Sequence, residues 1–163
     1  MPTPHVALAE LDERTLDGLL AAAVQGAEPG EVMVPLAGER GWTARQQEAF
    51  RRFHRDRSMT GTTRIERTFV VLVDGSPAGA ARLEPTPRGV EVGIWLGRAW
   101  RGRGLGTRAV RRLVRHAGAP GLVAATTVGN DAAVGLLRTL GAELSTTGDD
   151  VHARLPDGPV GHS

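Results

Sequence analysis

The residues with the plainest chemical content are Arg101-Gly102-Arg103-Gly104-Leu105-Gly106. Around them, positions 98–115 hold seven arginines and no carboxylate. An alternating apolar run, Val90 to Leu96, precedes this stretch, and a helical pattern, Leu105 to Ala117, follows it. A strand, a glycine-rich turn and a helix start can together present bare backbone N–H groups to an anion. Gly104 and Gly106 permit a tight turn and a close approach of phosphate to the main chain. The helix dipole and the arginines favour the same sign of charge. Two phosphate motifs do not fit. Gly102, Gly104 and Gly106 supply only the first part of the dinucleotide fingerprint, and no acidic residue near position 120 could hold a ribose. A P-loop needs a lysine, and the chain has none. On local physics alone, an ordinary glycine turn carrying solvated arginines is the alternative.

Arg101-x-x-Gly104-x-Gly106 resembles the R/Q-x-x-G-x-G/A signature of the GNAT superfamily of N-acetyltransferases. Gly104 to Arg108, followed by Val110 and Leu113, is similar to the aminoglycoside-type members. A second stretch, N-x-x-A-x-x-L-L-R-x-L-G from Asn130 to Gly141, resembles the family's N-x-x-S-x-x-L-Y-x-K-x-G-F. The likeness spans roughly residues 65 to 155, with both motifs in the family's order and spacing. It implies acetyl-CoA as cofactor. The implied contacts are Ile94, Trp95 and Leu96 on the strand, Arg101, Gly102, Arg103, Gly104, Leu105, Gly106 and Thr107 on the loop and helix start, and Asn130. It also implies the fold: α+β in three layers, a mixed and largely antiparallel sheet flanked by helices.

Acetyl transfer to an amine needs a held donor, a route for the ammonium proton and stabilisation of charge on the thioester oxygen. It needs no metal, and the five histidines show no compact ligand spacing. Members of the family often carry an active-site carboxylate on the strand before the loop. Glu91 matches that role and shares a strand face with Trp95, although it could instead pair with Arg82. Glu84 is the weaker alternative base, or simply a solvated strand end. His54 could serve if it faced the acceptor, but reads as a solvated helical histidine. The chain departs from the family at Leu137, where many members have a tyrosine that protonates the departing CoA thiolate. There is no tyrosine anywhere, and Ala133 replaces the usual serine.

These residues need a scaffold, and periodicity supplies one. His5 to Glu10 reads as a first strand, and Thr15 to Val24 as a helix closed by Gln25 to Gly30. Met33 to Gly41 is a loop, Thr43 to Arg57 a helix capped by Thr43, and Ser58 to Thr63 a polar loop. Trp42, Phe50 and Phe53 read as core anchors or pocket lining. Glu66 to Val73 and Ser76 to Glu84 form a hairpin across Asp74-Gly75. Pro85 to Gly89 turns into the strand Val90 to Leu96, with Val90, Val92, Ile94 and Leu96 on one face. Gly118 and Pro120 stop the glycine-loop helix. Leu122 to Val128 then runs parallel to Val90–Leu96 through a helical crossover. Asp131 to Leu140 is a helix capped by Asn130 and ended by Gly141. Ala142–Thr147 and Val151–Leu155 form the last hairpin. Residues 1–155 are expected as a single domain and 156–163 as a flexible tail.

At 163 residues and 40% hydrophobic, the chain suits one globular domain. It lacks cysteine, which excludes disulfides and thiolate chemistry. No signal peptide or membrane-length apolar span is visible, so a cytoplasmic protein without a membrane partner is expected. Net charge is only +2, and the high pI follows from the absence of lysine and tyrosine rather than from a basic surface. Aromatics are 4%, too few for base-stacking platforms, and no nucleic-acid motif is present. The expected activity is N-acetylation of a small-molecule amine, an aminoglycoside-like antibiotic among the acceptors, with no specific nucleic-acid partner and a homodimer allowed. Glu28, Glu31, Glu39 and Glu48 could line an acidic acceptor pocket or sit on the surface. A non-catalytic acyl-CoA binder and a protein N-terminal acetyltransferase are the other readings, with a nucleic-acid binder using the arginines from Arg98 to Arg115 as the remote one.

Overall fold

Alternating apolar residues send two sets of side chains to opposite faces of one sheet, and each face is covered by helices. The computed structural model describes residues 2–118 and 121–157. In chain order they form β1 (Val6–Glu10), α1 (Glu13–Gly26), α2 (Pro29–Val32), α3 (Ala44–His54), β2 (Arg67–Val73), β3 (Ser76–Thr86) and β4 (Gly89–Leu96). There follow α4 (Leu105–Ala117), β5 (Leu122–Thr127), α5 (Asp131–Thr139), β6 (Glu143–Thr147) and β7 (Asp150–Arg154). The seven strands lie in the order β1-β2-β3-β4-β5-β7-β6. All neighbours are antiparallel except β4 and β5, the pair joined through α4. This is the mixed, largely antiparallel sheet that the sequence predicts.

Phe69, Val71 and Val73 of β2 join Leu105, Ala109, Val110 and Leu113 of α4 in one cluster. Val70 and Leu72 face the other way, onto Leu16, Leu19 and Leu20 of α1 and Phe50 of α3. Each such side chain contributes about 1.5–3 kcal/mol by leaving water, so both helical layers are held firmly to the sheet.

Several boundaries move for local reasons. α1 begins before Thr15 because Asp12 is its cap. Asp12 Oδ1 accepts from the Thr15 N–H and Thr15 Oγ1 accepts from the Asp12 N–H, each at 2.9 Å. Pro29 starts the short α2 where only a break was expected. Regular α3 stops at His54, and Arg55–Met59 form a π-helical turn in place of the expected continuation to Arg57. β3 and β4 extend to Thr86 and Gly89, which leaves Pro87-Arg88 as the turn. Gly118 closes α4 at φ 60°, while the expected stop at Pro120 lies outside the described residues. Of the expected tail, residues 158–163 also lie outside them.

Candidate active site

β4 and β5 pair only at Val90–Leu122 and Glu91–Val123. β4 stays paired to β3 as far as Leu96, and β5 to β7 as far as Thr127. The sheet therefore forks in its middle, with Glu91 at the last paired position. The fork is a cavity of about 340 Å³, walled by β4 from Glu91 to Trp95, β5 from Ala124 to Thr126, and Leu136 and Leu137 of α5. Backbone donors and acceptors on the inner edges of the two strands lack the ladder partners that a central strand normally has. A linear ligand carrying amides can supply them. Both strands run with their C-terminal ends toward the open end of the fork. There α4 and α5 begin, the place where open parallel sheets bind ligands.

The two helix starts differ. Asn130 Oδ1 accepts from the Ala133 N–H at 3.1 Å, and Asp131 sits in the first turn of α5. The positive end of α5 is thus already answered. α4 starts at Gly104 with no side-chain cap and no acidic residue in its first turn. Gly102 and Gly104 have φ of 72° and 75°, the left-handed region in which a side chain is strained. Gly102, Arg103 and Gly104 are exposed. The turn therefore leaves α4's first N–H groups open to an anion.

The candidate cofactor residues occupy distinct stations. Ile94, Trp95 and Asn130 line the cavity. Ile94 and Leu96 pack on the α4 side of the sheet, and Trp95 packs on the α1–α3 side. Leu105 is 1% exposed, so its side chain belongs to the core and only its N–H can face a ligand. Gly106 and Thr107 complete the first turn of α4, half-buried. Arg101 braces the loop: its Nε donates to the Leu96 carbonyl at 2.8 Å, and Nη2 lies 3.5 Å from Glu31 Oε1. The Arg103 guanidinium stacks over Trp100 at 5.5 Å. The Glu28 N–H, and after it Arg101, hold the Glu31 carboxyl below its ordinary range. Of Glu28, Glu31, Glu39 and Glu48, only Glu31 lines the cavity.

Glu84 and Glu91 are cross-strand partners and belong to one ion-pair network. Arg82 donates to Glu84 Oε2 at 2.6 Å and to Glu91 Oε1 at 3.0 Å. Arg57 donates to Glu84 Oε1 at 3.4 Å and to Glu66 Oε2 at 3.2 Å. Gly93 lies opposite Arg82, and a Cβ there would come within 2.9 Å of Arg82 Nε. The missing side chain gives Arg82 room to lie across β4 and reach Glu91. The pairing of Glu91 with Arg82, open as an alternative in the sequence, is present. Glu84 is bound into the network beside the cavity rather than on its wall.

Three residues of this region escape the sequence reading. Glu66 is 3% exposed, and Ser58 and Thr68 are buried beside it, their hydroxyls 2.6 Å apart. His54 requires a correction. It is 3% exposed, not solvated, because it lies one turn beyond the buried Phe50. It lines the cavity, wedged edge-on between Phe50 and Phe53. Burial, and then the Arg57 charge, lower its pKa to about 4, so the ring is neutral at pH 7. Neither ring nitrogen has a hydrogen-bond partner among the described residues. Phe53 also lines the cavity, while Phe50 is core and Trp42 donates its Nε1–H to the Ala27 carbonyl at 2.7 Å.

The sequence profile described as the acetyltransferase (GNAT) family matches residues 36–142, well over half of the chain. The chain belongs to the GNAT family. It is an acetyl-CoA-dependent N-acetyltransferase by that membership. Solved structures share the fold at low identity. RimL, a ribosomal L7/L12 alpha-N-protein acetyltransferase in complex with coenzyme A, is 19% identical over 94% of this chain and 96% of its own, with a TM-score of 0.70. An acetyltransferase from Thermus thermophilus is 17% identical over 94% and 97%, with a TM-score of 0.64. Mutant forms of the spermidine/spermine N-acetyltransferase SpeG from Vibrio cholerae are 19% identical over 91% of each chain, with a TM-score of 0.62. No curated protein sequence matches significantly. Among the described residues, no helix is long and apolar enough to cross a membrane.

The GNAT donor fits what this chain presents. The diphosphate of acetyl-CoA suits the uncapped start of α4, and its amide-bearing arm suits the unpaired edges of the fork. Leu137, 5% exposed, brings an apolar wall and no proton donor to the position where the family often has tyrosine.

Proposed function

We propose that this GNAT protein N-acetylates a primary amine of a small molecule, with Glu91 as the proton acceptor. The observation that carries this reading is the position of Glu91. It stands at the vertex of the β4–β5 fork, on the cavity wall, with Oε1 held by Arg82. A carboxylate fixed by one oxygen keeps its direction and leaves the second oxygen for an ammonium or a bridging water. Ile94, Trp95 and Asn130 would line the arm of acetyl-CoA, and the main-chain N–H groups after Gly104 would hold its diphosphate. When bound, acetyl-CoA supplies the acetyl group as a thioester open to attack by an uncharged amine. The protein's own part is to align the amine, take its proton and keep water out of the fork.

Charge pairing narrows the acceptor. The cavity carboxylates Glu91 and Glu31 are each met by an arginine, Arg82 and Arg101. An acceptor with one ammonium suits such a site better than a polycation of the aminoglycoside type. A second reading, a peptide N-terminus, is favoured by a neighbouring concavity of about 710 Å³ that shares Glu91, Ala124 and Ala125 with the fork. The test is CoA release with n-butylamine, spermidine, kanamycin and a serine-initiated peptide, alongside calorimetry with acetyl-CoA. Stimulation by n-butylamine-like acceptors above the others is expected. If acetyl-CoA binds but no amine stimulates release, the acetyltransferase reading of this cavity is wrong.

A further inference from the structure

His54 is the described residue whose burial the scaffold does least to explain. Gln46, Phe50 and His54 form a buried stripe at spacing four on α3. Gln46 is satisfied there, since its Oε1 accepts from the Leu36 N–H at 3.0 Å. The His54 imidazole is 3% exposed and has no partner at Nδ1 or at Nε2. An apolar ring would pack between Phe50 and Phe53 as well and leave no polar atom stranded. The ring also stands on the cavity wall, together with Arg82, Glu91 and Trp95. It is the last residue of regular α3, directly before the π-helical turn Arg55–Met59, a distortion often found at functional sites. Stranded polarity, cavity position and local helix distortion coincide at one residue.

We infer that His54 is an acceptor-binding residue: its imidazole, on the wall of the same cavity as Glu91, hydrogen-bonds the amine-bearing acceptor. The inference rests on the proposed acceptor site and adds a specificity contact to it. A neutral imidazole offers one donor and one acceptor nitrogen. It can take a hydrogen bond from an ammonium or amine N–H, and give one to a hydroxyl or carbonyl of the same acceptor. Glu91, held by Arg82, remains the proton acceptor, and His54 fixes the direction from which the amine approaches. A buried polar group without a partner is costly to the free protein, so the contact made on binding is favoured by more than its geometry alone.

The test uses His54→Phe and His54→Gln in the whole protein, with acetyl-CoA and the amine turned over fastest in the panel above. H54F keeps the aromatic packing and removes both nitrogens. Its kcat/KM for the amine should fall about 10- to 100-fold, mainly through KM, while the Kd for acetyl-CoA stays within about twofold. Its Tm should hold or rise by about 2–4 °C, because the stranded nitrogens are gone. H54Q restores a donor and an acceptor and should recover most of the loss. As a direct readout, ¹⁵N-labelled histidine spectra should show a His54 ring nitrogen shifting when the amine is added to the CoA-bound protein. Wild-type kinetics in H54F, or an unmoved His54 signal at saturating amine, would overturn the assignment and leave the cavity reading intact. Failure of wild-type protein to turn over any amine would remove both.

Discussion

The uncapped start of α4 can be probed by two substitutions that differ only in charge. Gly104 has φ 75° and is exposed, and a Cβ placed there meets no atom within 4 Å. Asn and Asp therefore fit sterically and suffer the same left-handed strain, about 1 kcal/mol for these two residues. Each should lower Tm by about 2–4 °C. Only Asp adds a negative charge to the turn. At about 4 Å, two unit charges repel by about 1 kcal/mol in water and about 4 at an effective dielectric of 20. For an open turn the value lies near the water end, so about 1–2 kcal/mol against a bound diphosphate is expected. That corresponds to an acetyl-CoA Kd about 5- to 30-fold weaker for Gly104→Asp than for Gly104→Asn. The difference should shrink between 0.1 and 1 M salt, as the Debye length falls from about 10 Å to about 3 Å. Isothermal calorimetry at both salt concentrations, with Tm as the stability control, measures all of this. Equal affinities for Asn and Asp at low salt would mean that the phosphates do not sit on this turn.

Glu91→Gln should reduce kcat/KM for the amine by about 10²- to 10⁴-fold at neutral pH with acetyl-CoA affinity nearly unchanged, whereas Glu84→Gln should cost less than tenfold; steady-state kinetics of the two variants decides between them. Gly93→Ala puts a methyl group within 2.9 Å of Arg82 Nε, so Arg82 must move and Glu91 loses its orienting bond; a fall in kcat at unchanged acetyl-CoA Kd is expected, and wild-type kcat would show that the Arg82–Glu91 pair has no role. His54 gives a stability signature of its own. Its folded pKa of about 4 lies below the ordinary 6.5, so the unfolded chain takes up a proton first as pH falls. The stabilisation is complete above pH 6.5 and is lost between 6.5 and about 4, by up to about 3 kcal/mol. Urea unfolding across that window should show a steeper pH dependence for wild type than for H54F, and identical slopes would contradict the burial.

The sheet is readable from the sequence because each strand carries its own evidence. Val90 to Leu96 alternates cleanly, and Asp74-Gly75 marks its hairpin with positive φ at both positions. The glycine turn is readable for a related reason, since Gly102 and Gly104 occupy a backbone region that other residues avoid. The fork is not written in either strand. Val123 to Thr127 pairs fully with β7, and nothing in its composition tells where pairing with β4 stops. That boundary is set by twist and by helix packing on both faces, which are non-local quantities. The ion-pair network is hidden in the same way. Arg57, Glu66, Arg82, Glu84 and Glu91 come from a helical turn, the residue just before β2, and the strands β3 and β4, and only the fold brings them together.

The burial of His54 is written in the periodicity of α3 but not in its polarity. Its four-residue offset from Phe50 puts it on the buried stripe of α3, whereas the polarity of an imidazole on a helix favours a solvent-facing position. Periodicity and polarity disagree there, and the structure follows periodicity. Departures from local rules gather at the fork and the turn at its open end: an uncapped helix start, two central strands that pair with each other at only two positions, a glycine in mid-strand beneath an arginine, and a buried imidazole without partners among the described residues. Elsewhere the same chain caps its helices by the ordinary rules, as Asp12 and Thr43 show. A sequence able to satisfy those rules at other helix starts, yet breaking them repeatedly around one fork, places its uncompensated groups where a ligand can complete them.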